Sequence, residues 1–90
     1  MTSILHDAYQ AVHGDRNRDY GHPRTNHTAT AELWRAWVKR KYGLDVPFDA
    51  RAVCWMNILQ KASRDANAPK RDNLTDTAGY AENAQMCEEA

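Results

Sequence analysis

The sequence predicts an all-α, compact four-helix domain with a long ordered loop between helices one and two. Three observations carry this reading. Apolar residues recur at three- and four-residue spacing in four segments, capping residues or breakers bound each segment, and no run alternates with period two between turns. No internal repeat appears, so residues 1–90 read as one domain.

Thr2 or Ser3 can cap the first helix, in which Ile4, Leu5, Ala8, Ala11 and Val12 keep helical spacing until Gly14 is expected to stop it. From His13 to Pro23 the periodicity vanishes. Gly21 permits positive φ there, and Pro23 disfavours αR at His22, so this stretch is expected to be an ordered loop. Thr25 or Asn26 opens the second helix, which runs to about Tyr42, with Gly43 as its C′ residue. Its expected packing side is Ala29, Leu33, Ala36 and Trp37, with Trp34 and Val38 beside them. Asp49 caps a third helix over about Ala50–Ala66, closed by Asn67-Ala68-Pro69, with Val53, Cys54, Trp55, Met56, Ile58, Leu59 and Ala62 as apolar members. Asp72 is expected to cap a fourth helix running to about Glu88, packing through Leu74, Thr77, Ala78, Ala81 and Met86.

Composition narrows the function classes. Lys+Arg and Asp+Glu number 12 each, so the formal net charge is zero and no global field draws the protein onto DNA or anionic lipid. Direct DNA binding is therefore disfavoured. Cys54 and Cys87 form no CxxC pair, which fits a reducing cytoplasm. No secretory leader pattern is present, and no apolar run approaches the ~18 residues that span a bilayer, so the expectation is a cytoplasmic protein with no membrane partner. A chain this short buries roughly 60–65% of its unfolded surface, and three tryptophans and four tyrosines exceed what such a core accommodates. A homo-oligomer is expected.

Two polar stripes stand out. On helix three Asn57, Lys61 and Arg64 share one face; on helix four Asp72, Asp76, Gly79, Tyr80 and Asn83 do the same. Asp72 and Asp76, one turn apart, are hard oxygen ligands suited to Mg2+. Arg16, Arg18, Lys61, Arg64, Lys70 and Arg71 could clamp phosphates, and Tyr20 could stack on a base. The plainer alternative is a solvated surface with i,i+4 ion pairs. His13 and His22 could donate to a ligand or act as a general base, or simply cap helix ends. His6, His13, His22 and His27 show no compact zinc spacing.

The order His13-Gly14-Asp15-Arg16, Asp19-Tyr20-Gly21-His22-Pro23, Lys61-x-x-Arg64 and Pro69-Lys70-Arg71-Asp72-Asn73-x-x-Asp76-x-x-Gly79-Tyr80 resembles a family of short proteins common in bacteriophages, notably those of actinobacteria. A looser likeness, ending in Ala78-Gly79-Tyr80-Ala81, links it to the nucleotide modification associated domain 1 group. Both groups resemble the MazG-like all-α nucleoside triphosphate pyrophosphohydrolases. That resemblance implies magnesium-dependent hydrolysis of a (deoxy)nucleoside triphosphate within a dimeric or tetrameric assembly, in host cytoplasm if the chain is phage-encoded. MazG-like enzymes carry Glu-x-x-Glu on one helix and Glu-x-x-Asp on another; this chain offers only Glu32 on helix two with the differently spaced Asp72 and Asp76.

The expected site follows. Asp72, Asp76 and Glu32 hold the metal, and Arg16, Lys61, Arg64 and Arg71 neutralise phosphate. Asp15, Asp19 or His22 orients the attacking water, while His13, Tyr20, Asn57, Asn73 and Tyr80 complete the nucleotide contacts. The alternatives are a nucleotide-binding sponge without turnover, or a host-interaction protein acting through an apolar helix face.

Overall fold

The computed structural model describes residues 2–88, and among these it is all-α, with no strand. The first helical arm begins at α1 (Ile4–Gln10), where the Ser3 hydroxyl accepts from the Leu5 N–H. It then widens into a π-helical turn (Ala11–Asp15) and continues as α2 (Arg16–Tyr20). The expected loop is thus helical over most of its length, and only Gly21 and His22 leave the helix. A helical glycine costs about 1 kcal/mol. Tertiary contacts outweigh that cost at Gly14: Ala8 and Val12 of this arm are buried, and His13 stacks on Tyr9 with ring centroids 4.3 Å apart and reaches Glu82 of the last helix at 3.1 Å.

Gly21, at φ 78°, turns the chain into α3 (Pro23–Tyr42), which starts earlier than its spacing suggests because His22 caps it and Pro23 occupies its first turn. Gly43, at φ 70°, closes α3 by donating to the Lys39 carbonyl, and Lys39, Arg40 and Lys41 face the negative end of the helix dipole. Next comes α4 (Ala50–Asn67), capped as expected by Asp49, whose carboxylate accepts from the Ala52 N–H at 2.7 Å. The last helix, α5 (Arg71–Met86), begins one residue before Asp72, which therefore stands in its first turn and is not the cap. Asp65 organises this corner instead, accepting from the Lys70 N–H and from the Asn73 amide, both at 3.2 Å.

The protein is a slab of 47 × 35 × 19 Å. With helix diameters of roughly 10–12 Å, that thinness leaves every helix a solvent side. The radius of gyration, 14.1 Å, exceeds the roughly 12 Å of a rounder body of this length. α5 packs against α1, α3 and α4, and the buried apolar residues are mostly small: among the described residues the largest side chains below 2% exposure are Val53 and Cys54. Gly79 lies under Val12, whose Cγ2 would stand 3.5 Å from a Cβ added there, an ordinary contact.

Several expected packing sides are turned outward. On α3 the inward line is Pro23, His27 and Ala31, with Trp34 and Val38 half-buried, while Leu33 and Trp37 are 71% and 60% exposed. On α5 Asn73, Gly79, Asn83, Ala84 and Met86 are buried, whereas Leu74 and Ala81 are exposed. On α4 Trp55, Met56 and Leu59 face solvent. The physical reason is close helix approach: thin, tight contacts take small or amide side chains and push bulky ones to the open faces.

Candidate functional site

Where α2, α3, α4 and α5 converge, a cleft of about 270 Å³ opens, lined by Arg16, Asn17, Tyr20, Asn26, His27, Thr30, Trp34, Val53, Asn57, Tyr80 and Asn83, among others. A second, narrower cleft of about 30 Å³ shares Val12, Arg16, Tyr80 and Asn83 with it and adds Asp76.

Five of the expected site residues line these clefts: Arg16, Tyr20, Asn57, Asp76 and Tyr80. Lys61 reaches the edge, its ammonium 2.8 Å from an Asp76 carboxylate oxygen. The others are engaged or placed elsewhere. Asp15 and Asp19 pair with Arg18 on the surface, at 3.0 and 3.6 Å, and neither lines the clefts. His22 is an N-cap, its Nδ1 accepting from the Arg24 N–H at 3.1 Å, and His13 is held by Glu82. Arg71 pairs with Asp7 at 2.7 Å and also donates to the Thr2 carbonyl, tying the first arm to α5. Thr2 hydroxyl donation, followed by Arg71, holds the Asp7 carboxyl below its usual range. Asn73 is buried against Asp65. Arg64, Asp72 and Glu32 are exposed.

Those placements bear on a metal. Magnesium needs converging oxygen ligands. Asp76 is neutralised by Lys61, and among the described residues no group of three His, Cys, Asp or Glu side chains converges. Glu32, Asp72 and Asp76 form no such group within the described residues of one chain.

His27, Asn83, Asn17, Asn26 and Thr30 are cleft residues absent from the expected site. A signal for them existed: Asn83 continues the Asp76–Tyr80 stripe, and Asn26, Thr30 and Trp34 fall at four-residue spacing along α3. His27 is 6% exposed, and its Nε2 lies 3.4 Å from the Asn83 side-chain nitrogen. Burial lowers its pKa from the ordinary 6.5, so the folded chain keeps this imidazole neutral where the unfolded chain takes up a proton.

That difference predicts a pH dependence. The contribution of His27 is fully present above the unfolded pKa of 6.5 and is lost as pH falls through the lower folded value, with a slope of at most about 1.4 kcal/mol per pH unit. Urea denaturation between neutrality and mild acid should show that slope, and His27→Gln should remove its share. Identical profiles for the two proteins would refute it.

Burial also pushes the Cys54 thiol up to about 12, so it offers no thiolate nucleophile near neutrality. Among the described residues no helix is long and apolar enough to cross a membrane.

The chain is similar to the Gene 55 protein of Mycobacterium phage D29, with 38% identity over 80 residues, covering 88% of this chain and 49% of that protein. It is equally similar, at 38% identity over 80 residues, to the Gene 55 protein of Mycobacterium phage L5, covering 88% of this chain and 48% of that one. The chain thus spans about half the length of the curated relatives it matches. No solved structure matches it. A family model described as a domain of unknown function, DUF6378, matches residues 3–88, nearly the whole α1–α5 body that frames the cleft, and the chain belongs to that family.

Proposed function

We propose that this chain binds a nucleotide in the cleft between α2, α3, α4 and α5, without turning it over, and works as a homo-oligomer. The observation that carries the reading is Arg16. Arg18, Arg35, Arg51 and Arg71 are each paired with a carboxylate, whereas Arg16 borders both clefts without a carboxylate partner among the described residues. Arg40 and Arg64, also unpaired, do not line the clefts. A guanidinium at the mouth of a cleft walled by Tyr20, Trp34 and Tyr80 suits a ligand with an anionic end and an aromatic end. Hydrolysis would need converging carboxylates, and among the described residues of one chain no such group of three stands together.

Thermal-shift measurements with ribo-, deoxyribo- and cyclic nucleotides test the reading, since a ligand at 100 times its Kd adds about 2.7 kcal/mol of apparent stability. Arg16→Ala should weaken nucleotide binding by roughly 10- to 100-fold, the worth of a charge-assisted hydrogen bond. No shift with any nucleotide would end the proposal, and pyrophosphate release would replace its non-catalytic half.

Self-association rests on the open apolar face of α3 and α4. Leu33 and Trp37 are one turn apart on α3, Trp55 and Leu59 one turn apart on α4, and Trp37 and Met56 line the same apolar cup with Trp34, Val38 and Phe48. A second copy is the occupant favoured by the thin body, which gains from burial what its own small core lacks.

A further inference from the structure

We infer that the floor of the cleft, built by Asn83 and His27, is a base-recognition site: it receives a neutral, planar ring with a hydrogen-bonding edge, while the phosphates point outward to Arg16. The inference rests on the nucleotide reading and adds an orientation and specificity residues to it.

The first support is an unmet hydrogen-bonding need. Asn83 is 9% exposed, and its side-chain oxygen is buried without any partner. Buried amides are rarely left so, and an unpaired one in a native cleft calls for an explanation. Its other arm makes a single long approach, 3.4 Å, to His27 Nε2. Exchanging the amide oxygen and nitrogen does not remove the need, because one arm still lacks a partner. Asn83 lines both clefts, so a ligand seated there is the missing partner.

The second support is the electrostatic character of the floor. Burial keeps His27 neutral, and around it stand Asn57, Asn26, Thr30, Val53 and the Tyr80 ring, whose centroid is 6.3 Å from that of His27. The side chains of Asn26 and Asn57 make no hydrogen bond among the described residues, so both amides are available. Among the described residues the one Lys or Arg in this lining, Arg16, is exposed. A phosphate moved to the floor would lose its hydration without a counter-charge, whereas a nucleobase would exchange water for amide hydrogen bonds and ring contacts. Asparagine amides are suited to base edges because they carry a donor and an acceptor side by side. Size agrees, since about 270 Å³ lies just below the roughly 300 Å³ at which small-molecule sites begin and holds a ring more readily than a whole triphosphate.

Titration calorimetry on the full chain with the common ribo- and deoxyribonucleoside triphosphates, and with inorganic tripolyphosphate as the base-free probe, tests the inference. Asn83→Leu should weaken the best nucleotide at least tenfold, leave tripolyphosphate unchanged, and keep or raise the melting temperature, because an apolar group replaces an unpaired amide. A lowered melting temperature with intact nucleotide affinity would make Asn83 structural and overturn the inference. Should Asn83→Leu fail to fold, Asn57→Ala, at a half-buried and unbonded side chain, must produce the same selective loss. Equal losses for nucleotide and tripolyphosphate, or no loss in the folded variant, would also overturn it while leaving nucleotide binding in place. No binding of any nucleotide by the unaltered chain would remove both.

Discussion

Trp37→Glu is expected to convert an associating protein into a monomer at micromolar concentration, and Leu59→Glu on the neighbouring helix should do the same. Trp37 is 60% exposed and Leu59 65% exposed. Covering a tryptophan or leucine contributes about 1.5–3 kcal/mol, and a glutamate at the centre of such a contact adds the cost of desolvating a charge. Two such residues on one face are enough to shift a micromolar equilibrium by several powers of ten. Sedimentation or light scattering reads the mass directly. The melting temperature of the unaltered protein should rise with concentration, whereas that of the variants should not. A monomeric parent would remove the second copy as occupant of this face and pass it to a host protein, the remaining reading of an exposed aromatic surface.

Val53→Ala is expected to cost about 2–3 kcal/mol, from lost transfer energy plus the cavity left behind. Few positions in this chain should cost more. Val53, on α4, is 1% exposed, and among the described residues Cys54 beside it is the other large side chain buried as completely. A domain of this length holds roughly 5–13 kcal/mol in total, so the melting temperature should fall by roughly 10–20 °C. Denaturant unfolding with an unchanged m-value would assign the loss to stability alone. A cost below about 1 kcal/mol would mean that the α4–α5 contact relaxes into the space, contrary to its tight small-residue packing.

Helix existence and most boundaries were legible because they are set by local chemistry. Asp49 caps α4, Gly43 closes α3 in the left-handed region, and Pro69 follows the end of α4. Which face turns inward was far less legible. Periodicity identifies a line of apolar residues, yet Leu33–Trp37 and the inward His27–Ala31 line are both helical stripes of α3, and hydrophobicity favours the one that stayed outside. The inward line is chosen by steric fit against α4 and α5, a property of pairs of helices. The site was legible to the same degree. Tyr80 and Asn57 stand on polar stripes, while Arg16 belongs to the same charged run as Asp15, Asp19, His13 and His22, and nothing in that run's spacing separates the cleft residue from the others. In the fold the others serve as surface pairs and caps. His27 carries no compact metal spacing to mark it, and its partner Asn83 lies 56 residues away in sequence.

The π-helical turn of the first arm has a consequence for phase. At 3.6 residues per turn, a side chain four positions on is displaced sideways by about 40°, so a four-residue stripe soon winds off its side of the helix. The wider turn at Ala11–Asp15 unwinds the arm and offsets that drift. Ala8, Val12, Arg16 and Tyr20 thereby stay in one line, the first two in the core and the last two at the cleft. A single rod is keyed at one end and presents Arg16 at the other, so the seating of two small side chains against α5 sets where the guanidinium stands.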